Sequence, residues 1–262
     1  MESFEDLRQT KEHAEYLKKI GWQVARVPDF LYIRKISLLP WSIGKLQRAK
    51  NVDWALVQKA RKKYRIIRLI TEETVAKKTI WIDLRKSEKK ILAEMKAKTR
   101  YNVGLACRKG VGIVIQTPPP TEFFELLRGN AKRLGIFALP RSWYEAQVEA
   151  FGDKCFVVLA YPPSHKATEG QASELLAGAF FMTSSNACFY SHNGSTELGR
   201  KLMAPSLCVW EGIREAKRRS LKTFDFDGIY DGSKVLKRWK GFTKFKEGFG
   251  GEVVEYPPTL VY

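Results

Sequence analysis

No apolar run in this 262-residue chain reaches the ~18 residues that a membrane-spanning helix requires. The opening stretch, "MESFEDLRQTKEHAEYL", is charged and has no apolar core of the kind a secretory leader carries. Both observations point to a soluble chain in the cytoplasm. Cysteine is scarce. Cys107, Cys155, Cys188 and Cys208 are far apart, no C-x-x-C pair occurs, and the three histidines form no cluster with them. A disulfide framework and a metal centre are therefore not expected, and the thiols read as small core residues. Acidic residues are also few: 28 Asp and Glu stand against 46 Lys and Arg, a formal net charge of +18. Disorder is excluded by 44% apolar and 12% aromatic content spread along the chain.

The basic excess is clustered. Residues 45–68 carry nine basic residues and one acid, residues 85–109 nine and two, and residues 214–246 eleven and four. Such a field attracts polyanions: nucleic acid, anionic lipid or a diphosphate-bearing substrate.

"EDLRQTKEHAEYLKKIGW" reads as an amphipathic helix stopped at Gly21. "FLYIRKISLLPW" is a strand closed by Pro40, "VDWALVQKARKKY" a helix, and "RIIRLI" and "KKTIWIDL" are strands. Residues 1–84 thus form a small α/β unit. The basic stretch "SEKKILAEMKAKTRYNVGLACRKG" follows, helical, with Ser87 as N-cap and Gly110 at its end. From residue 111 the order is β-α-α-β-β-β-α-β-β, with Pro205 in the first turn of the third helix. "PPSHKATEGQAS" reads as a loop between strands. A mixed sheet flanked by helices is an α/β, or α+β, layered fold, and this order also occurs in acyltransferases that use acetyl-coenzyme A.

"FTKFKEGFGGE", residues 242–252, mixes lysine, phenylalanine and glycine. Two readings are open. A strand would turn its lysines to solvent and its rings to the core. Alternatively, Lys246 is held between Phe245 and Phe249 beside a ligand, and Gly248, Gly250 and Gly251 let the backbone pass close to it.

Several stretches together carry a family resemblance. They are Lys98-Thr99-Arg100-Tyr101-Asn102, Met203-Ala204-Pro205, Asp225 with Gly228-Ile229, and Phe245-Lys246 with Phe249-Gly250. In these, and in its opening helix, the chain resembles the Fem family (FemABX), the non-ribosomal peptidyl transferases of the bacterial cell wall. The resemblance implies an acyltransferase (GNAT)-like fold, with residues 85–262 as a complete C-terminal domain and residues 1–84 as a truncated N-terminal one. It implies that an amino acid moves from aminoacyl-tRNA to an amine of a peptidoglycan precursor, nucleotide-linked or lipid-linked. A lipid-linked acceptor implies work at the inner face of the membrane, in contact with anionic lipid. No cofactor is needed, because the donor ester is already activated.

The resemblance also assigns roles. Lys246, Phe245 and Tyr190 fall at catalytic positions, and Lys98, Arg100, Tyr101, Arg108, Asp225 and Phe249 at substrate-binding positions. Other readings stay open for them. Tyr190 either hydrogen-bonds the peptide precursor or is a core tyrosine. Asp225 and Asp227 bind an amine, orient a lysine, or cap the turn at Gly228. Lys98, Arg100 and Arg108 touch tRNA or precursor phosphates, or face solvent.

The chain departs from the family pattern at Ile70-Thr71-Glu72, where some members place a carboxylate followed by proline. It departs again at Asn186, four before Tyr190, where one type has a basic residue. Two rivals remain. A coenzyme A-dependent N-acyltransferase needs a glycine-rich pyrophosphate loop, for which the nearest stretch is "RKLMAPS". A non-catalytic RNA-binding protein would use the basic and aromatic residues alone.

Overall fold

The computed structural model of the protein describes residues 4–71, 75–163, 174–232 and 239–256. Thr10 accepts the His13 N–H at the start of α1 (Lys11–Lys19), and Gly21 at φ 87° turns the chain out of it. Then come β1 (Gln23–Arg26), β2 (Phe30–Lys35), β3 (Ser42–Lys45), α2 (Trp54–Lys63) and β4 (Ile66–Ile70). The four strands form one sheet in the order β1-β2-β3-β4, with only β3 and β4 parallel. Leu31, Ile33, Leu46, Val57 and Ile66 fill the core between this sheet and α2.

The second sheet has seven strands. It comprises β5 (Lys78–Asp83), β6 (Gly112–Gln116), β7 (Cys155–Tyr161), β8 (Ala177–Ser184), β9 (Ala187–Ser195), β10 (Thr223–Asp225) and β11 (Glu252–Glu255). Their order is β11-β5-β10-β9-β8-β7-β6, antiparallel except where β10 runs beside β9. Both β7 and β8 are buried along their whole length, which is why they read as unbroken apolar runs. Alternation along β7 feeds two cores. Phe156, Val158 and Ala160 meet α3 (Glu88–Glu94), α4 (Ala97–Arg108) and α8 (Ala204–Arg218). Val157, Leu159 and Tyr161 meet α1, α5 (Thr121–Leu134) and α6 (Arg141–Phe151). The short helices α7 (Glu197–Lys201) and α9 (Lys240–Lys246) complete the set used below.

The α/β fold with mixed sheets expected from the sequence is the one found, with three refinements. Strands β1 and β3 were not expected. The strand at Lys78–Asp83, last in the 1–84 segment, hydrogen-bonds in the second sheet. Ser87 does cap α3, but the basic stretch breaks at Met95, whose ψ of 145° is extended. Arg100 fills the break by donating to the carbonyls of Leu92, Ala93 and Met95 at 3.3, 3.2 and 2.9 Å. Most of "PPSHKATEGQAS", together with Glu72, Lys234, Lys237 and Arg238, lies outside the described residues.

"FTKFKEGFGGE" is not a strand. It is the end of α9, a 3-10 turn over Glu247–Phe249, two left-handed glycines and the start of β11. Lys244 is exposed, whereas Phe249 is buried against Phe226 and Phe245. The glycines approach protein rather than an open site. A Cβ on Gly248 would lie 2.2 Å from Thr99 Oγ1, one on Gly250 2.6 Å from the Glu94 carbonyl, and one on Gly251 2.4 Å from the Trp81 carbonyl. They let the chain press onto α3, α4 and β5, and so fix where α9 sits. Gly251→Ala, at φ 86° and against backbone, is expected to cost about 2 kcal/mol or more in denaturant unfolding. Gly241→Ala, with nothing within 4 Å, is expected to leave stability unchanged or raise it by up to ~1 kcal/mol.

Candidate functional site

The site begins with an irregularity in the central sheet. Phe181 pairs with Tyr190 and Phe180 with His192, so Ser191 is an extra residue in β9. A bulge of this kind bends a strand and re-aims its side chains. Tyr190, Ser191, His192 and Asn193 consequently all line one cavity of about 310 Å³. The Ser191 hydroxyl is buried and has no hydrogen-bond partner among the described residues. Gln147 Oε1 lies 3.0 Å from His192 Nε2. Burial pulls His192 down to about 4, against the attraction of Asp227, and keeps the ring neutral at pH 7.

The second wall is the turn after β10. Asp225 is fully buried. It accepts from Thr79 Oγ1 at 2.5 Å, Trp81 Nε1 at 2.8 Å, the Tyr256 hydroxyl and the Asp227 N–H at 2.7 Å. Burial pushes its carboxyl up to about 6, while the bonds from Thr79 and Tyr256 pull the other way. Asp227 has φ 52°, a left-handed conformation that non-glycine residues seldom adopt. The turn is clamped there. Gly228 N–H donates to Thr79 Oγ1 at 3.1 Å, and Lys246 Nζ donates to the carbonyls of Phe226 and Gly228 at 2.8 and 2.7 Å.

Helix α9 places Phe242 and Lys246 one turn apart, and both line the cavity. Lys246 is buried, with its ammonium 5.9 Å from the Tyr190 ring centroid and 5.7 Å from that of Trp239. Burial pulls it down to about 8, against the attraction of Asp227 and Asp225. It therefore remains cationic at pH 7.

Asp227 faces a third element, the N-terminal segment. Arg8 donates to Asp227 at 2.7 Å and to Asp6 at 3.2 Å. Asp6 in turn lies 3.7 Å from Arg48, whose guanidinium covers the Tyr256 ring at 3.6 Å and donates to the Ala76 carbonyl. Tyr256 closes the circuit on Asp225. Although burial opposes it, Asp227 and Asp6 hold the Arg8 guanidinium well above its ordinary pKa.

Of the residues assigned from sequence, Lys246 and Tyr190 line this cavity, and Phe245 packs behind them in the core. The others are placed elsewhere. Phe249 is core, and Asp225 is wholly engaged inside the turn. Lys98, Arg100, Tyr101 and Arg108 are exposed on α4. There Arg100 caps α3, and Arg108 sits 5.5 Å over the Tyr101 ring. Asn186 lies in the β8–β9 turn. The sequence reading gave no role to Arg8, Ser191, His192, Trp239 or Phe242. Only the "FDFDG" turn signalled Asp227, and Arg8 has no signal, since its partner is 219 residues away. Among the described residues no group of three or more His, Cys, Asp or Glu is placed to hold a metal.

Solved structures share this fold. The crystal structure of FemX superposes with a TM-score of 0.76 at 16% identity, covering 97% of this chain and 91% of that one. The C-terminal domain of an Agrobacterium fabrum protein described as a lysylphosphatidylglycerol synthetase gives 0.63 at 12% identity, covering 95% and 87%. L-PGS from Bacillus licheniformis gives 0.58 at 12% identity, covering 92% and 83%. No curated relative matches the chain by sequence. The model of the FemAB family matches residues 163–262, which hold the Met203-Ala204-Pro205, Asp225 and Lys246 motifs. The Fem resemblance read from the sequence is thus borne out, with the FemAB pattern in residues 163–262 and the fold of FemX over nearly the whole chain.

Proposed function

We propose that the chain moves an aminoacyl group from aminoacyl-tRNA to an amine of a peptidoglycan precursor. The observation that carries this reading is the convergence of Lys246, Asp227, Ser191 and Tyr190 on one cavity of about 310 Å³. That volume suits an amino acid and a reacting amine, at the lower end of the roughly 300–1,000 Å³ typical of small-molecule sites. Both carriers would lie outside, held by the basic surface. The FemAB pattern supports a transferase. The fold shared with a protein described as a lysylphosphatidylglycerol synthetase supports an aminoacyl donor.

The chemistry needs no covalent enzyme intermediate. The acceptor nitrogen attacks the ester carbonyl carbon, forming the C–N bond and moving an electron pair onto the carbonyl oxygen. Lys246 supplies fixed positive charge for that oxyanion. Two of its three protons are committed to the Phe226 and Gly228 carbonyls, which leaves one for the ligand. Asp227 and the Ser191 hydroxyl, which has no partner among the described residues, offer acceptors to an ammonium or amine. Collapse breaks the C–O bond to the ribose, and the proton lost by the attacking nitrogen goes to the leaving ribose oxygen. Phe242, Trp239 and Tyr190 limit water around the cation, which strengthens its field. In this reading the protein works in the cytoplasm, at the inner membrane face when the acceptor is lipid-linked.

Incubation with labelled aminoacyl-tRNA and precursor tests the proposal. Label is expected to move to the precursor, and Lys246→Ala is expected to lower turnover on the order of 10²–10³-fold. Transfer at the same rate by the variant, or tight binding of coenzyme A with no aminoacyl transfer, overturns it. Turnover is also expected to fall as pH rises through about 8, because Lys246 loses the proton that makes it useful. A pH profile flat from 7 to about 9.5 removes its charge from the mechanism.

A further inference from the structure

The connection between β2 and β3 leaves apolar side chains in water. Leu38 is 101% exposed and held at φ 63°, Leu39 is 41% exposed and Trp41 45%. Ile67, next to the residue of β4 that pairs with Ser42, is 57% exposed. The tip is closed on itself by the Ile36 N–H bond to the Trp41 carbonyl at 2.9 Å. Beside it runs the α2–β4 turn, because the Ser42 N–H bonds to the Arg65 carbonyl at 3.0 Å. The last turn of α2 carries Lys62 and Lys63, the connection to β4 carries Arg65, and Lys35 and Arg68 flank the tip on the neighbouring strands. All five are exposed, and none makes an ion pair with a described residue. No Asp or Glu occurs from Phe30 to Val52 or from Trp54 to Thr71.

We propose that this tip docks the chain on an anionic lipid bilayer, with Leu38, Leu39 and Trp41 entering the headgroup boundary and the surrounding cations facing acidic headgroups. Leucine and tryptophan ringed by lysine and arginine is what an interfacial anchor requires, since each part alone gives only weak attachment. Nucleic acid would engage the cations but gains little from aliphatic Leu38 and Leu39. A second copy of the chain would bring like charges together. Docking stands apart from the transfer reading, since it involves no cavity residue and is measured without substrates.

The test is cosedimentation with vesicles of phosphatidylcholine alone or mixed with phosphatidylglycerol. The wild-type chain is expected to bind the mixed vesicles and not the neutral ones, more weakly as salt is raised. Replacing Leu38, Leu39 and Trp41 by serine is expected to weaken binding about tenfold or more. Replacing Lys62, Lys63 and Arg65 by glutamine is expected to weaken it about a hundredfold. These side chains are exposed, so thermal unfolding should match wild type in both variants. Three results overturn the proposal. One is no binding to anionic vesicles. Another is equal binding by the serine variant. The third is a dimer seen in light scattering that the serine substitutions abolish.

Discussion

The structure depends on one strained turn and the charges that hold it. Asp227 sits at φ 52°, a conformation that costs on the order of 1–3 kcal/mol for a residue with a side chain. It persists because neighbouring polar groups are anchored around it. Asp225 takes the Asp227 N–H, Thr79 takes the Gly228 N–H, and Lys246 takes the Phe226 and Gly228 carbonyls. The turn thereby delivers one carboxylate to the cavity wall while a second stays inside the protein. Two carboxylates two residues apart, one buried and one lining a cavity, are tolerable only with cations nearby. Lys246 supplies one such charge and Arg8 another.

Because these groups share one buried network, their contributions are not separable. Removing either partner of a buried pair leaves the other charge uncompensated, which is more damaging than the pair is stabilising. Arg8 and Arg48 come from the N-terminal half, Thr79 and Trp81 from β5, and Tyr256 follows β11. The cavity therefore belongs to the whole chain. Burial moves Asp225 and Lys246 in opposite directions, each toward its neutral form. At neutral pH both still carry charge, which places the site near the edge of its own titration. A group poised in this way responds to a bound ligand more readily than a fully solvated one.

Much of the fold was legible because it rests on local rules. Ser87 and Pro205 began helices, Gly21 ended one, and the apolar runs of β7 and β8 marked buried strands. What failed was non-local. β5 follows β4 closely in sequence, yet its partners are β10 and β11, which no periodicity reveals. The site divides in the same way. Lys246 was found through its aromatic surroundings, and Tyr190 through the resemblance. Ser191 matters only because a bulge adds it to β9, and Arg8 only because the chain folds back over 219 residues. The glycines near residue 250 signal a close approach in the sequence. Their absent side chains accommodate Thr99, Glu94 and Trp81, not a substrate. Close approach is visible in a sequence, but the object approached is not.

The position of β5 has a temporal consequence. Both its neighbours, β10 and β11, come from far later in the chain, with Trp81 bonded to a residue 144 positions on. During synthesis this strand waits with both edges open, while the sheet around β7 and β8 can already assemble. The ionic circuit needs Lys246 and Tyr256, so it closes only after the strands and helices that precede them have been made. Long-range pairing of this kind is slow and exposes strand edges meanwhile. A ribosome-bound chain would thus hold the sheet around β7 and β8 before it holds the cavity, whose walls come together only once α9 and β11 have been made.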